Sequence, residues 1–335
     1  MKNDQSTNQP NDQFNMGRKR KKKIVEQVRF HGIADRGKGV GRTEEGQVVF
    51  ADKAVPGDVA DVLVTKKRKG YFMGKVTTFH EYSTDRVEPF CEHFGVCGGC
   101  KWQGLDYAAQ MRHKDQVVKD TLQRIGKVDV GAFLPIIGAQ KTSFYRNKLE
   151  FSFSNKKWLT ADQLNTEVSN LEDVLGFHPA GAFDKIIDIK KCWLQPEPSN
   201  ALRNSIRAIA KAQGLSFYDN REHKGFMRTM MLRVTSLGEV LLLLAFGEKD
   251  KSKIPPLLDA IIEQFPEISA LYYCINTKLN DFMLDLPMHL YHGKEYVEEK
   301  LGDVRFKIGP KSFFQTNTEQ AKALYDVVVD FACSV

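Results

Sequence analysis

Short apolar runs separated by glycine turns occupy the first part of the chain, from residue 24 to about residue 79. The runs read IVEQVRF, QVVFA, VADVLVT and YFMGKVTTF, and a glycine-rich segment, HGIADRGKGVGR, lies between the first two. No stretch with helical periodicity lies between these runs. Runs of this length and spacing are typical of strands that pair into a small closed or partly closed barrel. We therefore predict an OB-like β-barrel over residues 24–85.

Helical and strand patterns alternate after the barrel. Residues 106–125 predict a helix with Asp106 as N-cap and with an apolar face that consists of Tyr107, Met111, Val118, Leu122 and Ile125. Further helices are predicted over 200–213 and 254–265. Strand patterns cover 148–153, 185–189, the hairpin MMLRVTS-LG-EVLLLLAF and the segment ALYYCIN. This alternation favours an α+β domain built on a mostly antiparallel sheet over residues 86–308.

The helix predicted over 200–213 has two contrasting faces. Leu202, Ile206 and Ile209 share an apolar face, while a stripe of cations, Arg203, Arg207 and Lys211, recurs at four-residue spacing on the other. Such a stripe is interpreted as a solvated face.

Charge is distributed unevenly along the chain. Lys and Arg number 49 against 42 Asp and Glu, which gives a formal net charge of +7. A basic block, RKRKKK, follows a polar Gln- and Asn-rich segment, so residues 1–23 are predicted to form a disordered basic tail. Two interpretations of this tail stay open: a solvated solubility segment, or an arm that binds phosphates through counterion release.

Two basic segments of the predicted barrel are candidates for RNA contact. Lys38 and Arg42 belong to the turn GKGVGR, which is not a dinucleotide fingerprint because no helix follows it. Lys67 and Arg68 belong to KKRKGYF, where cations stand beside aromatic residues that could stack on bases. OB-type barrels bind nucleic acid with this mixture of side chains. The alternative is an ordinary charged hairpin.

Three of the six cysteines fall within ten positions, in the segment CEHFGVCGGCKWQ at residues 91–103. A disulfide framework would call for an export signal, whereas the N-terminal sequence is polar. The longest apolar run, residues 240–246, is too short to span a bilayer. We therefore expect a cytoplasmic protein without a membrane partner, in which clustered thiolates bind metal.

Cys91, Cys97 and Cys100 need a fourth ligand if they hold a metal centre. Cys192 is the best candidate because it follows the predicted strand IIDIKK, whereas Cys274 lies inside an apolar strand and Cys333 lacks an activating neighbour. Spacing alone leaves zinc and iron–sulfur open. A solitary remote partner fits a cubane cluster better than the paired motifs of structural zinc sites.

The cysteine motif, the cysteine after IIDIKK, the preceding barrel and the later SFFQTN together resemble the RNA 5-methyluridine methyltransferase family, in particular the 23S rRNA (uracil-5-)-methyltransferases. The resemblance implies an RNA-binding TRAM barrel and a [4Fe-4S] cluster on Cys91, Cys97, Cys100 and Cys192. It also implies S-adenosyl-L-methionine as cofactor, with Gln315 in contact with it, and ribosomal RNA as partner of a monomeric enzyme.

The same resemblance places Arg146 and Lys148, in SFYRNKLEF, towards the RNA and the active-site cleft. The alternative is a surface arginine at the start of a strand.

The chemistry of this family needs a cysteine thiolate that adds to C6 of a flipped-out uracil, so that C5 can attack the methyl donor. The glycine-rich turn that holds the donor is not found in the sequence. We therefore predict that residues 309–335 begin a truncated Rossmann-like domain, with a helix that buries Leu324, Val327, Val328 and Phe331. On this prediction the chain contains no catalytic residue, and the nucleophile and base are expected beyond Val335.

Two functions follow from these patterns. The first is methylation of uridine C5 in 23S rRNA, with this chain as the RNA-binding and cluster-binding portion of the enzyme. The second is a non-catalytic RNA-binding protein that carries a structural zinc on four cysteines.

Overall fold

The computed structural model describes residues 23–160 and 162–334. The chain divides into two compact units, with the boundary between Thr84 and Asp85. The predicted basic tail lies outside the described residues, apart from Lys23.

The first unit is a closed five-stranded barrel in the order β1-β2-β3-β5-β4. Alternate side chains of its strands point inwards, and Val28, Val49 and Val62 are fully buried. The barrel core is therefore aliphatic at its centre. The strands are β1 (Ile24–Ala34), β2 (Lys38–Arg42), β3 (Val48–Asp52), β4 (Val59–Arg68) and β5 (Tyr71–Glu81).

The glycines of GKGVGR serve the barrel core rather than a phosphate-binding turn. Their segment forms β2, and a Cβ atom at Gly39 would lie 2.6 Å from the carbonyl oxygen of Ala54. A Cβ atom at Gly41 would lie 2.6 Å from a methyl carbon of Val28. Glycine is therefore needed here because neighbouring chain segments approach closely.

The second unit contains a seven-stranded sheet in the order β12-β11-β10-β9-β6-β7-β8. All neighbouring strands are antiparallel except the pair β10 and β11, so the sheet is mostly antiparallel, as predicted. A separate hairpin follows, formed by β13 (Val297–Leu301) and β14 (Val304–Ile308). The strands of the large sheet are β6 (Lys148–Lys156), β7 (Leu171–Phe177), β8 (Ile187–Asp188), β9 (Met227–Val234), β10 (Val240–Phe246), β11 (Ile268–Ile275) and β12 (His289–Gly293).

The central strand β10 is buried on both faces. Leu242 and Leu244 belong to the core cluster on one face, which also contains side chains of α2 (Ser199–Ala212) and α3 (Ile254–Gln264). Leu241 and Leu243 belong to the cluster on the other face, which contains Val297 and Ile308 of the β13–β14 hairpin. The continuous apolar run in the sequence follows from this double burial.

Helix α1 (Tyr107–Asp120) begins as predicted but ends differently. The Asp106 carboxylate accepts hydrogen bonds from the backbone N–H groups of Ala108 and Ala109 at 2.9 and 3.2 Å. Thr121–Ile125 then form a wider π-helical turn. Val118 and Ile125 are 51% and 77% exposed, so the predicted apolar face is not buried along its whole length.

The predicted fold class, with residues 309–335 as the truncated start of a third domain, is wrong. These residues belong to the same compact unit as the seven-stranded sheet. The backbone N–H of Asn147, next to β6, donates to the carbonyl oxygen of Thr316 at 2.8 Å, which ties the segment to the sheet.

Helix α4 (Thr318–Cys333) also differs from its prediction. It packs against β13 and buries only Ala321 among its side chains. Leu324, Val328 and Phe331, which were predicted to be buried, are between 53% and 61% exposed.

Among the described residues, the helices lack the combination of length and apolar character that crossing a membrane requires.

Gly176 tests how closely β7 and β8 are packed. A Cβ atom at this position would lie 2.0 Å from the carbonyl oxygen of Ile187 and 2.8 Å from the Ile189 side chain. We expect Gly176→Ala to lower the free energy of unfolding by about 1–3 kcal/mol, because the added methyl forces β8 away. Urea unfolding measures the change. Gly131→Ala is the control, since a Cβ atom there meets no atom within 4 Å; equal stability of the two variants would contradict this account of the packing.

Candidate functional site

The four predicted cysteine ligands line a single cavity of about 360 Å³ in the second unit. Cys91, Cys97 and Cys100 are partly buried, and Cys192 is buried. Two of the predicted RNA-contact residues, Arg146 and Lys148, line the same cavity, as do Thr316 and the aromatic ring of Trp193. Residues that are distant in sequence therefore meet at one place.

Backbone hydrogen bonds fix the loop that carries the first three cysteines. The N–H of Cys97 donates to the carbonyl oxygen of His93 at 2.9 Å, and the N–H of Gly98 donates to that of His178 at 3.1 Å. A Cβ atom at Gly98 would lie 2.7 Å from the His178 oxygen. The first glycine of CGGC is therefore required by the close approach of the chain that follows β7.

Cys192 is held by a different set of contacts. Its N–H donates to Oδ1 of Asn200 at 2.7 Å, and Nδ2 of Asn200 donates to the carbonyl oxygen of Cys192 at 3.2 Å. Both peptide groups of the cysteine are thus bound to one side chain at the start of α2.

The interpretation of Arg203, Arg207 and Lys211 as a solvated stripe is wrong for two of the three. Arg203 is 1% exposed, and its guanidinium donates to the carbonyl oxygens of Ile189 and Lys190 at 3.2 and 2.7 Å. Arg207 forms an ion pair with Asp188. Lys211 is exposed. Sequence reasoning missed Arg203 because its partners lie on another element of the fold.

Burial opposes ionisation of the cavity thiols. It raises the pKa of Cys97 and of Cys192, and it raises the pKa of Cys100 to about 11, with further contributions from the neighbouring cysteines. The guanidinium of Arg146 acts in the opposite direction on the pKa of Cys100. Cys97, Cys100 and Cys192 therefore stay protonated unless a bound cation stabilises their thiolates.

The donor set fits a soft metal centre, because sulfur ligands select zinc, copper(I) or iron–sulfur clusters. Among the described residues, however, no three His, Cys, Asp or Glu side chains lie closely enough to hold one metal ion. The structure thus places four thiols around a cavity and does not show a metal centre.

Arg146 connects the cysteine cavity to the SFFQTN segment. Its backbone N–H donates to the carbonyl oxygen of Leu194 at 2.8 Å, and the residue forms an isolated β-bridge with Asn317. Lys148 forms an ion pair with Glu150 at 2.6 Å beside the same cavity.

A buried polar network holds the segment that contains Gln315. Nδ2 of Asn147 donates to the carbonyl oxygen of Gln315 at 2.8 Å and to the hydroxyl of Thr318 at 2.9 Å. The fully buried carboxylate of Glu299 accepts from Thr318 at 3.1 Å. Nη2 of Arg233 donates to the carbonyl oxygen of Ser312 at 3.2 Å. The Gln315 side chain itself is exposed.

Sequence reasoning did not find this network. Its only sequence signal is an arginine inside the apolar strand pattern MMLRVTS and an acid inside β13. A charged residue within such a pattern indicates a buried polar partner, but the partner cannot be identified without the fold.

The barrel candidates lie in the first unit. Lys38 forms an ion pair with Asp52, and Nη1 of Arg42 donates to the carbonyl oxygen of Gly46 at 3.0 Å. Lys67 and Arg68 are exposed near the tip of the β4–β5 hairpin. Phe72 is only 6% exposed and belongs to the barrel core, so it is not an open stacking platform, contrary to the sequence-based expectation.

The two remaining cysteines lie away from the cavity. Cys274 is fully buried on the second face of the sheet, and burial raises the pKa of its thiol to about 11. Cys333 is exposed at the end of α4.

Comparison with known proteins identifies the barrel and the family. Residues 19–77 match the TRAM domain. An uncharacterized RNA methyltransferase of Bacteroides thetaiotaomicron is 43% identical over 304 residues, which cover 90% of this chain and 67% of the relative. A second uncharacterized RNA methyltransferase, from Porphyromonas gingivalis, is 42% identical over 306 residues, which cover 90% of this chain and 66% of the relative. The chain thus spans about two thirds of the length of these relatives.

A solved structure shares the fold. The tRNA (uracil-54, C5)-methyltransferase of Pyrococcus abyssi, in complex with S-adenosyl-L-homocysteine, has a TM-score of 0.65 and 23% sequence identity. The match covers 91% of this chain and 65% of that protein.

These relatives define the chain as a TRAM-containing member of an RNA-modifying class. The chain belongs to the RNA methyltransferase family, as the sequence resemblance predicted. The coverage of about 90% contradicts the predicted fold class, in which this chain stops where a separate methyltransferase domain begins. The inference that the chain lacks its catalytic core, which rested on the glycine-rich turn not found in the sequence, is not supported.

Asn147 provides a test of the network around Gln315. Asn147→Ala leaves the Gln315 carbonyl oxygen and the Thr318 hydroxyl without this donor, so we expect a loss of about 1–3 kcal/mol in the free energy of unfolding. Hydrogen exchange should become faster in residues 312–318. The control is Asn220→Ala, which removes one exposed hydrogen bond to the Phe183 carbonyl oxygen at 3.0 Å. Unchanged exchange in the Asn147 variant would refute the role assigned to the network.

Proposed function

We propose that the protein methylates C5 of uridine in RNA, with S-adenosyl-L-methionine as methyl donor. The observation that carries the proposal is the position of Arg146. It lines the cysteine cavity and forms a β-bridge with Asn317, two residues after Gln315. Cations, thiols and the segment proposed to contact the methyl donor therefore adjoin one another, as a site for an anionic RNA substrate requires.

Family membership supports the proposed reaction. The matched solved methyltransferase is described with S-adenosyl-L-homocysteine, the product that S-adenosyl-L-methionine leaves after methyl transfer. Gln315 is proposed to contact the donor, because its side chain is exposed while its backbone is held by Asn147. A fixed backbone with a free side chain suits a residue that binds a ligand.

Cys91, Cys97, Cys100 and Cys192 are proposed to hold a [4Fe-4S] cluster. Support comes from their shared cavity, from the sulfur-only donor set and from the burial that disfavours free thiolates at Cys97, Cys100 and Cys192. When bound, a cluster would replace the thiol protons with iron–sulfur bonds and so tie the 91–100 loop to the end of β8. The predicted zinc site remains the alternative outcome of the metal analysis below.

RNA is proposed to contact both units. Lys67 and Arg68 are exposed on the TRAM barrel, and Arg146 and Lys148 adjoin the cysteine cavity. Lys38 and Arg42 are weaker candidates, since the first pairs with Asp52 and the second with the Gly46 carbonyl oxygen. We propose 23S rRNA as the substrate; cytoplasmic location and a monomeric state stay predictions.

Methyl transfer tests the proposed reaction. The protein expressed from its complete gene is incubated with labelled S-adenosyl-L-methionine and either undermodified 23S rRNA or unmodified tRNA, and the nucleosides are separated after digestion. We expect label in 5-methyluridine from the 23S rRNA. Label in 5-methyluridine from tRNA alone would keep the chemistry and refute the substrate. Label in another nucleoside, or no transfer, would refute the proposed reaction.

Metal analysis tests the cysteine assignment. Anaerobically purified protein should be brown and contain about four iron atoms per chain. Cys97→Ser and Cys192→Ser should each lose this iron, because both side chains line the cavity. Cys274→Ser is the control and should keep it, because its thiol lies in a different core cluster. Colourless protein with one zinc, or full iron in the Cys192 variant, would contradict the assignment.

Salt dependence tests the barrel as an RNA-binding surface. Combining Lys67→Ala with Arg68→Ala removes two exposed cations, so the slope of log affinity against log salt should become shallower by about 1.5. Filter binding from 50 to 200 mM salt measures this slope. The matched control combines Lys249→Ala with Lys251→Ala, two exposed cations of the second unit. A control slope that changes as much would show a general charge effect and not a barrel-specific contact.

A further inference from the structure

Arg203 carries a positive charge into the interior, and within the described part of the chain no carboxylate forms a hydrogen bond or ion pair with its guanidinium. Among the described residues, its guanidinium hydrogen-bonds to the carbonyl oxygens of Ile189 and Lys190 and to the amide oxygens of Asn200 and Asn204. Arginine is almost never fully buried unless it is paired. The burial of this charge therefore needs a compensating negative group nearby.

Three groups near Arg203 can carry negative charge: Cys192, Asp188 and Glu197. Asp188 is paired with Arg207, and Glu197 accepts from Asn200, which leaves Cys192 as the candidate. The guanidinium and the cysteine share a partner, because the side chain of Asn200 binds both Arg203 and the backbone of Cys192. Its two backbone acceptors, Ile189 and Lys190, belong to the three residues that precede the cysteine in the chain. Arg203 thus holds the chain that delivers Cys192 and places a buried positive charge next to that chain.

Asn200 links the arginine to the cysteine. Its Oδ1 accepts from the Cys192 N–H at 2.7 Å and from Nη1 of Arg203 at 2.9 Å. Its Nδ2 donates to the Cys192 carbonyl oxygen at 3.2 Å and to Glu197 Oε1 at 2.8 Å. Only one orientation of the amide satisfies all four contacts, so the side chain is fixed.

We propose that Arg203 and Asn200 are positioning residues for the fourth cluster ligand: Asn200 fixes the backbone of Cys192, and Arg203 supplies the buried positive charge that offsets the thiolates of the cavity. The inference rests on the [4Fe-4S] cluster of the proposed function. Partners of metal ligands typically change metal retention or activity by about 10–100-fold when they are removed.

Two readouts separate charge from geometry: the rate of iron release to a ferrous chelator and the reduction potential of the cluster. Both are measured on anaerobically purified full-length protein.

Arg203→Gln removes the charge, so iron release should be about 10–100-fold faster and the potential should become more negative. Arg203→Lys keeps the charge without the planar fork of donors, so the potential should stay near that of the parent while release is faster. Asn200→Ala should accelerate release with little change in potential.

Arg228→Gln is the matched control for the loss of a buried arginine. Arg228 is 3% exposed and donates to the carbonyl oxygens of Asn276, Lys278 and Asn280, outside the cysteine cavity. It should lower the urea midpoint while leaving iron release and potential unchanged. If Arg203→Gln does not fold, Arg203→Lys and Asn200→Ala still carry the test.

The outcomes distinguish this inference from the proposed function. A parent protein without iron would refute the cluster, and this inference with it. A parent with a full cluster, together with Arg203 and Asn200 variants that match it in release rate and potential, would refute the inference alone. Changes of the same size in the Arg228 variant would also overturn it, because they would trace to general loss of stability.

Discussion

The candidate site depends on the gathering of four thiol groups, one buried and three partly buried, around one cavity. Burial raises the pKa of Cys97, Cys100 and Cys192, so ionising these three thiols needs positive charge nearby. Arg146 and Arg203 supply fixed charge at two of the cysteines. A bound metal cluster would supply the rest.

The seven-stranded sheet gives this site its rigidity. Its central strand β10 is apolar and buried on both faces, which makes the frame resistant to local opening. The cysteines themselves lie on irregular segments at the β7–β8 side of the sheet. Close approaches at Gly98 and Gly176 fix these segments, because neither position leaves space for a Cβ atom.

Local patterns in the sequence predicted much of the fold. The barrel strands, the β9–β10 hairpin and the Asp106 cap follow from short-range spacing and residue type. Cys192 was predicted to join Cys91, Cys97 and Cys100 from its place after a strand and from the family resemblance, and all four line one cavity. The role of these cysteines as metal ligands stays a prediction. Periodicity of two or four residues is visible in one sequence because it reports local geometry.

Long-range contacts explain what could not be predicted. Arg203 is bonded to carbonyl oxygens that precede it by more than ten residues, so helical periodicity alone placed it in solvent. Phe72 enters the barrel core because of strand register, and the Asn147 amide reaches a segment 168 residues away. The predicted fold class was wrong for residues 309–335, because long-range hydrogen bonds such as that from Asn147 to Gln315 attach this segment to the sheet.

X-ray absorption at the iron edge tests the central claim most directly. Anaerobically purified protein should give an iron edge with sulfur neighbours and an iron–iron shell, since a cubane cluster places metal atoms beside one another. A signal at the zinc edge with sulfur neighbours alone, and no iron, would contradict the account of the cysteine site.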